Sequence, residues 1–190
     1  MLDPQYRNIG NPDLIDGRSR RVVPIPPRGT LSDYAPFYFT PFSIMMFNIK
    51  TGYGRIKQVP NQEIAILVSS LHRVKKLDIL FVFTNQHEYP AAAEFFSEPD
   101  LDRIDWPQLQ SRNFKHDSGD PGKKERYQAE AVIWKHLRLD ALLGICCFNQ
   151  AANSWIQSEI ARRSTSPAKS TGANRRSWNG SWRGCRTFGV

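Results

Sequence analysis

Three kinds of side chain in this chain are equipped for chemistry, and they lie far apart in sequence. Arg18 leads a cluster with Arg20 and Arg21. A guanidinium is a rigid, permanently charged fork that clamps a diphosphate or a carboxylate. Glu130 stands at the mouth of an apolar stretch, Ala131-Val132-Ile133-Trp134. Burial there would raise its pKa unless a cation lay nearby. His87 follows the apolar run Phe81-Val82-Phe83. A plainer reading stands beside each: a solvated surface arginine, an edge-strand glutamate facing water, a histidine anchoring a loop. The four histidines, at 72, 87, 116 and 136, show no metal-ligand spacing, so no metal is expected. The chain carries no glycine-rich phosphate loop, nucleophile elbow or Walker lysine.

The elements that must position these groups centre on Asp33-Tyr34-Ala35-Pro36-Phe37-Tyr38-Phe39-Thr40-Pro41. Three aromatics between two prolines read as a short strand, because proline marks strand ends far better than strand middles. Before it, residues 1–17 carry turn chemistry, and Pro24, Pro26 and Pro27 dictate an extended path. After Met46 a polar segment is expected. Residues 63–69 read as a buried strand, 70–76 as a short helix or turn, and 79–84 as the next strand. Residues 91–96 are good helix material, and 100–110 add a further helical turn. Residues 111–124 form a polar loop, of a length usually functional or mobile. It delivers the chain to an alternating strand over 125–134, with Glu130 near its start. A short helix or turn over 137–143, a last strand over 144–148 and a helix over 151–163 follow. Strands interleaved with short helices make the class α+β.

The 190 residues suit one domain, and the 40% hydrophobic and 12% aromatic shares suit a globular one. No apolar run approaches the roughly 18 residues that cross a bilayer, and the first residues lack an apolar segment of signal-peptide type. Three cysteines, Cys146, Cys147 and Cys185, two of them adjacent, fit neither a disulfide framework nor a zinc site; a reducing cytoplasm is expected. Nearly all of the net charge of +8 sits in the tail: Arg162, Arg163, Lys169, Arg175, Arg176, Arg183 and Arg186 have no acid among them, whereas residues 1–161 hold 19 bases against 18 acids. Such a tail can bind phosphates without specificity, or be solvated chain without function. From Ser164 the composition is that of a linker, and 164–190 is expected to be disordered.

Several blocks, in order, resemble the DarT family. These are bacterial toxins of DarT–DarG toxin–antitoxin systems that attach ADP-ribose from NAD to thymidine in single-stranded DNA. The blocks are Ile15-Asp16-Gly17-Arg18-Ser19-Arg20 with Pro24 to Pro27; Gly29 through Phe39, with its Asp-Tyr-x-Pro-Phe-Tyr-Phe core; Phe81-Val82-Phe83-Thr84-Asn85-Gln86-His87 with Phe95-Phe96; and Arg126-Tyr127-Gln128-Ala129-Glu130. Together they span about 15 to 160.

The resemblance implies an ADP-ribosyltransferase fold: a split antiparallel β-sheet core with flanking short helices over 1–163. It places the family's catalytic arginine at Arg18 and its catalytic glutamate at Glu130. Arg18 and Tyr38 would contact NAD. His87 would open the substrate-recognition loop completed by 111–129, with Phe114, Lys123, Lys124 and Arg126 facing DNA and rings such as Tyr38 and Phe114 stacking on nicotinamide or a base. For Tyr38, core packing competes with that role. NAD would be the co-substrate, single-stranded DNA the acceptor, and a DarG-like macrodomain antitoxin the partner.

Two departures stand out. The family begins with a further segment carrying a His-x-Thr-His-like motif that helps bind NAD, and residues 1–17 hold no counterpart. Past Arg163 the family continues into an apolar piece where this chain is rich in Arg, Ser and Gly. On this reading the N-terminal part is missing and activity is expected to be weak or absent. The rivals are a non-catalytic remnant that binds DNA through its basic tail, and a partly unfolded fragment without function.

Overall fold

The structure, a computed structural model, describes residues 11–87 and 93–164. They form two compact units, residues 11–58 with 78–137, and residues 59–77 with 138–164.

The first unit is built on a four-stranded antiparallel sheet. Its strands are β1 (Tyr34–Tyr38), β3 (Phe81–Thr84), β4 (Phe95–Phe96) and β5 (Glu130–Trp134), in the order β1-β5-β3-β4. β5 is therefore interior, and all but its last residue are buried. Val82 and Val132 pack with Val23, Leu31, Tyr34 and Phe95 on one face. On the other face Phe83 stacks on Phe96 at 5.5 Å, and Phe39 meets both Phe83 and Trp106 edge-on. Each such side chain, fully buried, contributes about 1.5–3 kcal/mol.

The helices of this unit start on polar caps. Helix α1 (Pro12–Arg20) opens with Asn11, whose side chain accepts from the Asp13 N–H at 2.9 Å, and with a proline in its first turn. Arg18 and Arg20 fall in its last turn, where the helix dipole favours cations. Ser43 caps α2 (Ile44–Thr51), which stops at Gly52 in the left-handed conformation, φ 73°. Asp105 caps α4 (Trp106–Ser111), and α5 (Lys123–Arg126) is a single turn ahead of β5.

The second unit pairs β2 (Ala65–Val68) with β6 (Gly144–Cys147), antiparallel from Ala65 opposite Cys147 to Val68 opposite Gly144. It carries α3 (Leu71–Lys76) and α6 (Gln150–Ser164). Mixed helices and antiparallel sheets match the expected class.

The local expectations fare unevenly. Residues 12–20 are helical: Asn11-Pro12 is a helix start as well as turn chemistry. β1 begins at Tyr34 and runs through Pro36, which is tolerated because β1 is a sheet edge and need not donate on both sides. The segment after Ile44 is the helix α2. β2 is half exposed, not buried, with residues alternating in exposure. Phe95-Phe96 is a strand, since pairing with Phe83 and Thr84 outweighs the helix propensity of the neighbouring alanines; Ala91 and Ala92 lie outside the described residues. Glu125 and Arg126 belong to α5 rather than to the strand after it. Apart from Ser164, the last residue of α6, the expected disordered tail also lies outside the described residues. Among the described residues no helix is long and apolar enough to cross a membrane.

Candidate active site

Glu130 is the first residue of β5 and is only 3% exposed. The edge-strand, water-facing reading is thereby overturned. The sequence order of strands hid that β5 lies between β1 and β3. Tyr127 and Ala129, just ahead of it in the chain, are buried as well.

Directly opposite Glu130 across the β1–β5 pair is Tyr38. Directly opposed residues project to the same face of a sheet, and here the phenol hydrogen-bonds the Glu130 carboxyl. Burial, and then the neighbouring Glu130 charge and bond, push the Tyr38 phenol above its ordinary value. It is therefore neutral and is the donor of that bond when the carboxyl is ionised.

Arg18 comes from the last turn of α1. Its Nη2 donates to the Leu31 carbonyl at 2.7 Å and to the Tyr34 carbonyl at 3.1 Å. These bonds tie α1 to the segment that enters β1. The guanidinium lies within electrostatic reach of both Glu130 and Tyr38. Burial lowers its pKa, and those two neighbours oppose the shift. For Glu130 burial is again the largest influence: it raises the carboxyl to about 7, although Arg18 and the Tyr38 bond pull the other way. The result is a carboxyl that can exchange a proton near neutral pH.

His87 stands just beyond β3. Its backbone N–H donates to the Glu125 carbonyl at 2.9 Å, which fastens the end of β3 to α5. Burial lowers its imidazole pKa; Glu125 opposes this, and Arg18 and Lys124 reinforce it. His87 thus joins the neighbourhood of Arg18.

The loop residues divide. Phe114 contacts the Tyr127 ring at 5.3 Å and the Phe47 ring at 5.5 Å. With Phe47, Arg112, Asn113 and Lys115 it lines a cavity of about 390 Å³. Lys124 is exposed. Lys123 is paired with Asp117 at 3.4 Å. Arg126 bonds Asp105 at 2.9 Å and Asp120 at 2.6 Å, so much of its charge is met by the α4 cap and the loop. Two groups here escaped the sequence reading. Arg112 lies over the Phe42 ring at 4.2 Å. Thr84, the last residue of β3, buries a hydroxyl that has no partner among the described residues; its place at the end of an apolar strand beside a chemically equipped histidine was the available signal. Among the described residues no cluster of histidine, cysteine and carboxylate groups could hold a metal ion.

Comparison with known proteins supplies the family. The model described as ssDNA thymidine ADP-ribosyltransferase, DarT, matches residues 1–178. A DNA ADP-ribosyl transferase of Escherichia coli O127:H6 is 48% identical over 157 residues, which cover 82% of this chain and 72% of that relative. Among solved structures, Thermus sp. 2.9 DarT in complex with ADP-ribosylated ssDNA superposes with a TM-score of 0.77 at 30% identity, covering 84% of this chain and 75% of that one. The same Thermus protein in complex with NAD+ gives a TM-score of 0.74 at 30% identity, over 85% and 76% of the two chains. With an interior glutamate, its tyrosine partner and an arginine gathered at one end of an antiparallel sheet, and with these matches along the chain, the protein belongs to the DarT family of single-stranded DNA ADP-ribosyltransferases.

Proposed function

We propose that this chain transfers ADP-ribose from NAD to the thymine base of thymidine in single-stranded DNA, with Glu130 and Arg18 as its catalytic residues. One observation carries the assignment: a buried carboxyl, raised to about 7, that accepts from the Tyr38 phenol and lies near the Arg18 guanidinium. Family membership and the Thermus complexes with NAD+ and with ADP-ribosylated ssDNA support the substrate class.

The chemistry follows from the groups present. The bond between ribose C1′ and the nicotinamide nitrogen breaks, and nicotinamide leaves with the electron pair. An oxocarbenium-like charge develops on the ribose, as in glycoside cleavage. A carboxylate held next to the ribose stabilises that charge. The thymine ring nitrogen then bonds to C1′ and releases its proton, which Glu130 accepts. Arg18 meets the negative diphosphate and orients Glu130. Tyr38 holds the carboxyl and offers a ring for stacking. The acceptor must be unstacked, which favours single-stranded DNA. His87, Phe114 and Lys124 supply a neutralised imidazole, a ring and a free-standing cation for the DNA, while Lys123 and Arg126 contribute there and also hold the loop.

Incubation of the chain with labelled NAD and single-stranded oligonucleotides tests the proposal. Label should enter thymidine-containing strands and not strands lacking thymidine. Label appearing irrespective of base, or in no strand while NAD stays intact, would count against it. A role as the toxin of a pair with a DarG-like macrodomain antitoxin is part of the same proposal and rests on family membership. Growth arrest on expression, relieved by such a macrodomain, is its test.

The strongly basic stretch from Arg162 onward favours a second activity, non-specific DNA binding. Binding by the tail would weaken steeply with salt and ignore base identity; recognition through the site would require thymine.

A further inference from the structure

The antiparallel register of β3 with β5 pairs Phe81 with Ile133, Val82 with Val132 and Phe83 with Ala131. One step further along that register, Thr84 comes opposite Glu130. On its other side Thr84 pairs with Phe95 in β4. A single row thus crosses the sheet: Tyr38, Glu130, Thr84, Phe95. Members of such a row share one face, with neighbouring Cβ atoms about 4.5–5.5 Å apart. Glu130 is flanked by a phenol on one side and a hydroxyl on the other. The phenol bonds the carboxyl. The Thr84 hydroxyl is fully buried and, among the described residues, has no hydrogen-bond partner.

A buried, unpaired hydroxyl costs stability, and native proteins keep few of them. Valine has the same branched shape and would fill this strand position without that cost. A threonine here is therefore poorly explained by packing alone. The charged and titratable groups facing Glu130 are Arg18 from α1 and Tyr38 from β1. β3 presents none, and His87 beyond its end faces Arg18. Among the described residues the side of Glu130 toward β3 is thus without a titratable or charged group, and Thr84 is the polar group the register places there.

We propose that Thr84 is a positioning residue for Glu130: its hydroxyl, unpaired among the described residues, turns to donate to the carboxylate when Glu130 ionises, so that Tyr38 and Thr84 hold the ionised group from both flanks. This deepens the proposed function by adding a group that sets when Glu130 is ready to accept a proton. Thr84 is sealed from solvent and acts through Glu130, without touching DNA or NAD.

The experiment is a carbon-13 NMR titration of the Glu130 carboxyl in the full chain, its resonance assigned by the Glu130→Gln variant. Removing a donor to the charged form raises the pKa. In Thr84→Val the midpoint should rise by about half to one pH unit, the size of a typical hydrogen bond. In Thr84→Ser it should return to the wild-type value. Thr84→Val should fold as wild type does, because valine has the same branched shape and fills the same strand position. A midpoint unmoved by Thr84→Val, or moved equally by Thr84→Ser, overturns the proposal. Should the valine variant fail to fold, the wild-type chain still decides: above the midpoint the Thr84 hydroxyl proton should exchange slowly and show a contact to Glu130, and fast exchange overturns the contact. The acid limb of ADP-ribose transfer should move with the NMR midpoint. Movement of the midpoint without the limb supports the contact and counts against the role of Glu130 in transfer.

Discussion

Tyr38 and Glu130 are directly opposed across β1 and β5, and the tyrosine phenol hydrogen-bonds the glutamate carboxyl. The bond favours the ionised carboxyl, against a burial that favours the neutral one. Tyr38→Phe keeps the ring and removes only the hydroxyl. Its Glu130 midpoint should rise above the wild-type value of about 7, and the acid limb of the pH–rate profile should shift the same way by about half to one unit. A superimposable profile would mean the phenol does not govern the carboxyl.

Removing the carboxyl separates chemistry from stability. Glu130→Gln should reduce transfer by at least about 100-fold, the usual scale for losing a general base, with nicotinamide release as the readout. Its stability should follow the opposite course. The folded-state pKa, at about 7, lies above the ordinary carboxyl value of 4.5. The native state therefore binds a proton that the unfolded chain gives up, and the stability contributed by this group is complete below about pH 4.5 and is lost as pH rises through about 7. The advantage of Glu130→Gln over wild type should grow across that window, by at most about 3 kcal/mol. Urea melts at pH 5 and pH 8 measure it. An advantage that shrinks instead would show Arg18 outweighing burial.

Arg18 has two duties that substitutions can divide. Its Nη2 bridges the carbonyls of Leu31 and Tyr34, while its charge acts on Glu130. Arg18→Lys keeps a charge and loses the fork, so it should lower stability by about 1–3 kcal/mol and leave transfer weak. Arg18→Ala loses both, and its Glu130 midpoint should lie above that of Arg18→Lys. Equal midpoints in the two variants would show that the charge is not felt at the carboxyl.

Gly29 connects the fold to the site. It adopts φ +89°, and a Cβ there would come 2.8 Å from Asp33 Oδ2 and 3.1 Å from the Trp134 ring. Asp33 Oδ2 accepts the Thr30 N–H, and its Oδ1 pairs with Lys135. Gly29→Ala should cost about 2–3 kcal/mol in urea denaturation, from the left-handed backbone together with the clash. Because the same segment supplies the Leu31 carbonyl to Arg18, transfer should fall with it. Unchanged stability would show that Asp33 yields without cost.

Lys124 and Arg126 are two residues apart and should behave differently. Lys124 is exposed, whereas Arg126 is held by Asp105 and Asp120. Lys124→Ala should weaken single-stranded DNA binding uniformly across sequences and flatten its salt dependence by about one phosphate contact. Arg126→Ala should instead raise hydrogen exchange across 105–126 and change the salt slope less. A larger salt effect from Arg126 would make it the principal phosphate contact.

The residue types at Arg18, Tyr38, His87 and Glu130, and the family blocks around them, were legible without coordinates, because guanidinium, carboxyl and imidazole chemistry belongs to the side chain itself. The strands over 81–84 and 130–134 were legible too, from runs of apolar and aromatic residues. Local ambiguities were less tractable: Asn11-Pro12 serves a turn or a helix start, and Phe95-Phe96 after alanines reads as helix until Phe83 and Thr84 pair with it. Spatial strand order was beyond the sequence. That β5 is interior rather than an edge decides that Glu130 is buried, and burial is what raises its carboxyl. The register sets Tyr38 opposite it and, continued one step past Phe83 and Ala131, brings Thr84 to its other side, although 92 and 46 positions respectively separate them from it in the chain. Side-chain identity is a local property; desolvation and hydrogen-bond partnership depend on neighbours that only the folded sheet brings together.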